Sequence, residues 1–484
     1  MPPTATSQLL IENCRAIACF DDARTELDHA DILIEGPAIK AVGPKLRETL
    51  NLPADIPAID GRGHVALPGF VNVHHHFFQV LTRTIPRVQN AELFEWLVEQ
   101  YHIFEAIEAA DFRTAGKVAM GELLLTGCTT TSDHHYLFPV SQPVELIDED
   151  IAAARELGIR FQPTRGSMTL GEDDGGLPPM TVIEKDERVL ADYERLIATY
   201  HDTSPYSMLR ISLAPCAPFN VTPYLFSETV KVARRHGVKI HTHLAETDDE
   251  DKYCAERYGK RPFDVVADQG WEGPDVWFAH CVKLNSREIA RFAKSGVAVA
   301  HCPSANCRLG SGIAPIPEML RAGVAVGLGV DGSASNDSGD LLGEARLAFL
   351  LHRAKWGVHS ITARDCLHML TRGGAAVLGN DKIGRIEPGA AADVVLFDME
   401  QLAYAGGPSS DPIAALILCG TSHHCAWSVI NGKIVVERGK VCNLREKPLV
   451  AEANAITAKL LAHGMKKRGV DYRKRVDWPR KGGG

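Results

Sequence analysis

Val65-Ala66-Leu67-Pro68-Gly69-Phe70-Val71-Asn72-Val73-His74-His75-His76 is an apolar run that ends on three histidines. An extended chain alternates its side chains, so His74 and His76 share a face and His75 points away from it. Apolar runs that end on polar residues recur downstream. The run 239–244 carries His241-Thr242-His243, with Glu246 three residues further on. The run 276–279 is followed by His280, and the run 324–330 by Asp331. Amphipathic segments of helical period lie between such runs, at 111–125, 148–157, 222–236, 286–294 and 341–352. Strand-like runs at 65–73, 129–133, 159–163, 209–214, 239–244, 276–279, 297–300 and 324–330 make eight, most followed by a helix. That repetition predicts an α/β fold of the (β/α)8 TIM-barrel type rather than a doubly wound open sheet.

In such a barrel the active site is built at the C-terminal ends of the strands, where these polar residues fall. A single histidine there is ordinarily a hydrogen-bonded packing residue. Three imidazoles and a carboxylate converging on one barrel mouth instead form a divalent-metal site with a position open for water. The two ends of the chain read differently. Short strands at 9–11, 32–34 and 39–42 are matched by 393–397 and by a hairpin over 427–436 that turns at Asn431-Gly432. The expected organisation is a small β-sandwich domain from both termini (1–67 plus 376–450), a barrel (68–375), and a C-terminal helix with a basic tail (451–484).

The composition excludes several classes. A formal net charge of −9 over 484 residues argues against a nucleic-acid backbone or an anionic membrane as partner. Lys466-Lys467-Arg468 and the basic run 473–475 read as a solvated or oligomer-contacting tail, and Gly482-Gly483-Gly484 as an unstructured end. There is no apolar run of roughly 18 residues, and the start Met1 to Ser7 lacks the basic and apolar regions of a signal peptide. Twelve cysteines without a CxxC pair suggest reduced, buried thiols and a cytoplasmic address.

Four motifs carry a family resemblance. Leu67-Pro68-Gly69-Phe70-Val71-Asn72-Val73-His74-His75-His76 resembles the first-strand signature of the amidohydrolase superfamily. His241-Thr242-His243-Leu244-Ala245-Glu246, Phe278-Ala279-His280-Cys281 and Gly329-Val330-Asp331-Gly332-Ser333-Ala334-Ser335-Asn336 resemble the fifth-, sixth- and eighth-strand motifs of its aminopurine and triazine deaminase branch. The resemblance implies His74, His76, His243 and Asp331 as metal ligands. It selects His243 over His241 because the family's glutamate follows the ligand by three residues, which leaves His241 as a packed strand residue. Binuclear members carry a bridging lysine on the fourth strand. The run Leu209-Arg210-Ile211-Ser212-Leu213-Ala214-Pro215-Cys216 has none, so one divalent ion is expected: zinc, or alternatively iron or manganese.

Hydrolytic deamination then assigns roles. Asp331 accepts a proton from water, His280 stabilises charge on the attacking oxygen, and Glu246 protonates a ring nitrogen and the departing amino group. His76-Phe77-Phe78-Gln79, Leu93-Phe94-Glu95-Trp96-Leu97 and Arg308-Leu309-Gly310-Ser311-Gly312 resemble the 8-oxoguanine deaminase group, which implies conversion of 8-oxoguanine to urate and ammonia. A pterin or guanine deaminase, an s-triazine aminohydrolase of the hydroxyatrazine type, and a catalytically silent scaffold are the alternatives. Gln79 is a candidate reader of the substrate, its bland alternative being an orienter of the metal site. His134 and Arg165 are candidate pocket residues, and Trp96 reads as helix core in preference to a stacking wall. A homo-oligomer is expected from the resemblance.

Overall fold

The computed structural model describes residues 7–419 and 424–476. The readings of the chain start (Met1 to Thr6) and of the glycine end lie outside the described residues. Eight parallel strands follow one another in chain order: β1 Phe70–Asn72, β2 Cys128–His135, β3 Arg160–Ser167, β4 Ser212–Pro215, β5 Ile240–Leu244, β6 Val276–His280, β7 Ala298–His301 and β8 Val326–Leu328. The seam closes where Val73 N–H donates to the Leu328 carbonyl (3.1 Å) and Val330 N–H to Asn72 Oδ1 (3.0 Å). Just above it, Asp331 pairs with His75 and Gly332 with His76. Closure therefore sets the two ends of the candidate donor set side by side.

Strand alternation sorts the side chains into two cores. Val71, Val73, Trp277, Ala279, Ala298 and Ala300 fill one cluster, while Phe70, Val276, Phe278 and Val299 belong to the larger cluster that includes the surrounding helices. Four helices matter below: α1 Leu93–Phe104, α2 Asp248–Tyr258, α3 Leu341–Trp356 and α4 Glu446–Arg468.

The run 65–73 is not one strand. His64–Pro68 pairs antiparallel with Val394–Asp398 in a second, nine-stranded sheet, and only Phe70–Asn72 enters the barrel. The break falls at Gly69, where a Cβ would sit 2.0 Å from Thr129 Oγ1, so only glycine lets the chain pass this close to β2. The second sheet is assembled from both ends of the chain, with Gln8–Ala18, Glu26–Glu35 and Ala38–Gly43 on one side of His64–Pro68. On the other side lie Val394–Asp398 and the hairpin Trp427–Ile430/Lys433–Glu437. That hairpin turns at Asn431 (φ 51°) and Gly432 (φ 79°), as an Asn-Gly pair favours.

α4 lies against the barrel through buried Leu460, and Thr457 Oγ1 donates to the Leu81 carbonyl (2.9 Å). Part of the basic run at and beyond its end is paired: Lys467 with Glu105 (2.7 Å) and Arg473 with Asp471 (2.9 Å). Among the described residues no helix is long and apolar enough to cross a membrane.

Candidate active site

His74 follows β1, and His243 lies within β5, two residues after His241. Inward alternation carries both His241 and His243 to the barrel axis, and His241 stacks on Trp277 with ring centres 4.5 Å apart. The other groups need backbone conformations that a regular strand does not provide. His280 (φ 71°), Asp331 (φ 63°) and Ala245 (φ 51°) all sit in the left-handed region, which few side-chain-bearing residues adopt. Without these turns, strand alternation after Ala279 would direct His280 away from the axis.

The structure brings His74, His76, His243 and Asp331 together. His76 Nε2 is 3.1 Å from His243 Nε2, and Asp331 Oδ1 is 3.3 Å from His76 Nε2 and 3.4 Å from His74 Nε2. Each ring is fixed from behind. His76 Nδ1 donates to the His134 carbonyl (2.8 Å) and His243 Nδ1 to the Cys216 carbonyl (2.7 Å). His241 Nδ1 donates to the Trp277 carbonyl (3.0 Å), which leaves its Nε2 to accept from His74 Nδ1 (2.8 Å). All three Nε2 atoms therefore carry lone pairs aimed at one point, and His74 Nε2 is buried without a hydrogen-bond partner. Lone pairs facing each other at such distances are repulsive unless a cation lies between them. The donor set fits one divalent ion. Burial, reinforced by neighbouring imidazoles, holds His74 far below the usual histidine range. Burial likewise lowers His243 to about 4. Burial alone would raise Asp331, but the facing His280, His76 and His243 rings bring it below the usual carboxylate range.

His280 is built the other way round. Asn306 donates its amide to His280 Nδ1 (3.1 Å), leaving Nε2–H to face Glu246 Oε2 (3.6 Å) and Asp331 Oδ2 (3.9 Å). His280 thus presents a donor at the mouth. Glu246 is 4 % exposed. Burial, then Asp331 and Glu250, push its carboxyl well above the usual range, which favours the protonated form.

Above these groups lies a small cleft. Gln79 lines it, with Nε2 donating to Tyr136 Oη (3.2 Å) and Oε1 unpartnered. Trp96, read from the sequence as helix core, also lines the cleft, because α1 folds across the barrel mouth. Tyr101, Tyr136 and Phe219 supply further aromatic wall, and Cys216 and Asn220 come from the segment that follows β4. Only the strand-end position of Tyr136 and Cys216 could have marked these residues beforehand.

Two expected pocket residues are placed elsewhere. Arg165 is fully buried behind the barrel wall, with Nε on Asp192 (2.7 Å), Nη1 and Nη2 on Glu184 (2.7 and 2.9 Å), and its guanidinium 3.6 Å from the Phe138 ring centre. Two carboxylates neutralise it there, and it does not line the cleft. His134 also stays off the cleft. It stacks on His243 (4.7 Å) with Nε2 bonded to the Ala214 carbonyl (2.9 Å), so it backs a ligand ring. His75 turns away from the cluster, its Nδ1 accepting from His76 N–H (2.8 Å).

Known proteins share this architecture. Residues 65–435 match the amidohydrolase family. The 8-oxoguanine deaminase of Pseudomonas aeruginosa is 46% identical over 381 residues, 78% of this chain and 84% of that protein. The hydroxydechloroatrazine ethylaminohydrolase of Pseudomonas sp. strain ADP is 36% identical over 451 residues, 91% of this chain and 93% of that protein. A zinc-complexed atrazine chlorohydrolase from Arthrobacter aurescens TC1 superposes with a TM-score of 0.87 at 36% identity, covering 93% of this chain and 100% of the other. With its metal-donor geometry, its barrel and these matches over most of its length, the chain belongs to the amidohydrolase family.

Proposed function

We propose that this chain is a hydrolytic deaminase of an aminopurine-like heterocycle, with 8-oxoguanine as substrate and urate and ammonia as products. One zinc ion would be held by His74, His76, His243 and Asp331. The observation that carries the reading is the placement of Glu246: a buried carboxyl lining an aromatic cleft and facing His280, which itself faces the donor Asp331. A bound divalent ion supplies a water acidic enough to act as a nucleophile near neutral pH.

The chain's own groups do the rest. Asp331 takes a proton from the water while Glu246 delivers its proton to the ring nitrogen beside the amino-bearing carbon. His280 Nε2–H donates to the oxygen as it adds to that carbon. The hydroxyl proton of the adduct and the proton on Asp331 then restore Glu246 and protonate the amino group, which leaves as ammonia as the carbonyl forms.

The cleft favours an oxidised purine over an alkylated triazine. Gln79 Oε1 and Trp96 Nε1 are buried without hydrogen-bond partners, and both residues line the cleft. Leaving such groups unpaired costs about 1–3 kcal/mol each, so the site selects a flat ring that brings carbonyl and N–H edges to them. An 8-oxopurine brings both, while alkylamino groups on a triazine would leave some unmet.

Ammonia release measured across 8-oxoguanine, guanine, isoxanthopterin, cytosine and a hydroxylated aminotriazine tests the substrate. 8-Oxoguanine is expected to give the highest kcat/KM, and a triazine that outpaced every purine would overturn the assignment. In the same assay Glu246→Gln is expected to keep its metal and lose about 10²–10⁴-fold in kcat. Near-normal turnover of that variant would remove Glu246 from the chemistry.

A further inference from the structure

Glu250 lies one helical turn beyond Glu246, at the start of α2, and is 1% exposed. Thr247 caps this helix, with Oγ1 accepting from Glu250 N–H (3.4 Å). In a Thr-x-x-Glu cap the glutamate normally turns back to the N–H of the threonine itself. Here it reaches further. One oxygen of Glu250 accepts from Ala245 N–H (3.0 Å) and the other from Glu246 N–H (2.8 Å). Among the described residues it has no salt-bridge partner, so these two backbone donors are its main support. They belong to the elbow where Ala245 adopts φ 51°. This turn takes the chain off β5 and sets Glu246 over the metal-donor cluster. Two successive N–H groups converging on one carboxylate form an anion-holding nest, and the anion is part of the chain itself.

We propose that Glu250 is a positioning residue for deamination: its carboxylate clamps the Ala245–Glu246 elbow and thereby aims the Glu246 carboxyl at the substrate. The inference rests on the proton-donor reading of Glu246 given above. Glu250 is not among the residues that line the cleft and belongs to none of the candidate ligand groups. A glutamine at this position would accept one backbone N–H and present its NH2 to the other, opening the elbow at nearly constant volume.

The test is a double-mutant cycle on the metal-loaded enzyme, with 8-oxoguanine or whichever compound of the panel is turned over fastest. Glu250→Gln is expected to lower kcat about 10–100-fold with KM within about twofold of the parent and metal content unchanged. In the Glu246→Gln background the same change is expected to have almost no further effect, because the group it aims is already disabled. Unchanged kcat in Glu250→Gln, or an equal loss in both backgrounds, would overturn the clamp. If Glu250→Gln does not fold, the cycle is run with Glu250→Asp, which keeps the charge on a shorter arm, and the same outcomes decide. Near-normal activity in Glu246→Gln alone would instead defeat the reading of Glu246, so the two failures are separable.

Discussion

Each histidine around the cluster has its role set by the group that its far nitrogen meets. Backbone carbonyls behind His76 and His243, and the His241 ring behind His74, turn three Nε2 lone pairs inward, whereas Asn306 behind His280 makes its Nε2 a donor. His241 is therefore more than packing: it fixes the His74 tautomer. Replacing it with phenylalanine, which keeps a flat ring against Trp277, is expected to weaken metal affinity about 10–100-fold. A chelator-competition titration measures this, and an affinity equal to that of the parent would show that His74 needs no orienting partner.

Loops after neighbouring strands must hold one another for the site to keep its shape. Glu344, in the first turn of α3, joins two of them. It accepts from Ser304 N–H (3.0 Å) beyond β7 and from Asn336 Nδ2 (2.8 Å) beyond Asp331. Burial raises its carboxyl from 4.5 to about 7. A raised folded-state pKa means that the native chain binds more proton than the unfolded one between those values. Its stabilising contribution is complete below about 4.5 and is lost as pH rises through about 7. Glu344→Gln, always neutral, is expected to lose less melting temperature than the parent between about pH 5 and pH 8. Parallel melting profiles of the two proteins would disprove the linkage.

Across the whole molecule, a buried ion pair helps to tie the terminal sheet to the barrel. Arg160 at the start of β3 makes a bidentate contact with Asp393 (3.0–3.1 Å), and Asp393 also accepts from Asn431 N–H at the hairpin (2.8 Å). Both side chains are at most 3% exposed. Removing one partner strands the other charge in the interior. Asp393→Ala is thus expected to cost about 3–5 kcal/mol in urea unfolding, and a paired Arg160→Met/Asp393→Leu replacement much less. An Asp393→Ala loss below about 1 kcal/mol would show that water reaches the pair.

What the amino-acid order determined alone was local and periodic. The two-residue repeat put His74 and His76 on one face and set His75 apart, the 3.6-residue repeat marked the helices, and Asn431-Gly432 marked its hairpin. Those features follow from backbone geometry within a few residues. The tertiary structure decided which sheet receives His64–Pro68, since its partner Val394–Asp398 lies more than 300 residues away. It also decided that Trp96 walls the cleft, and that Arg165 turns outward to Glu184 and Asp192, because neither side chain's surroundings come from its own strand or helix. The same holds at Glu250, whose spacing from Thr247 suggests an ordinary cap and whose carboxylate holds the elbow beneath Glu246. A strand's period tells which side chains travel together; only the neighbours that satisfy their polar atoms tell where they end up.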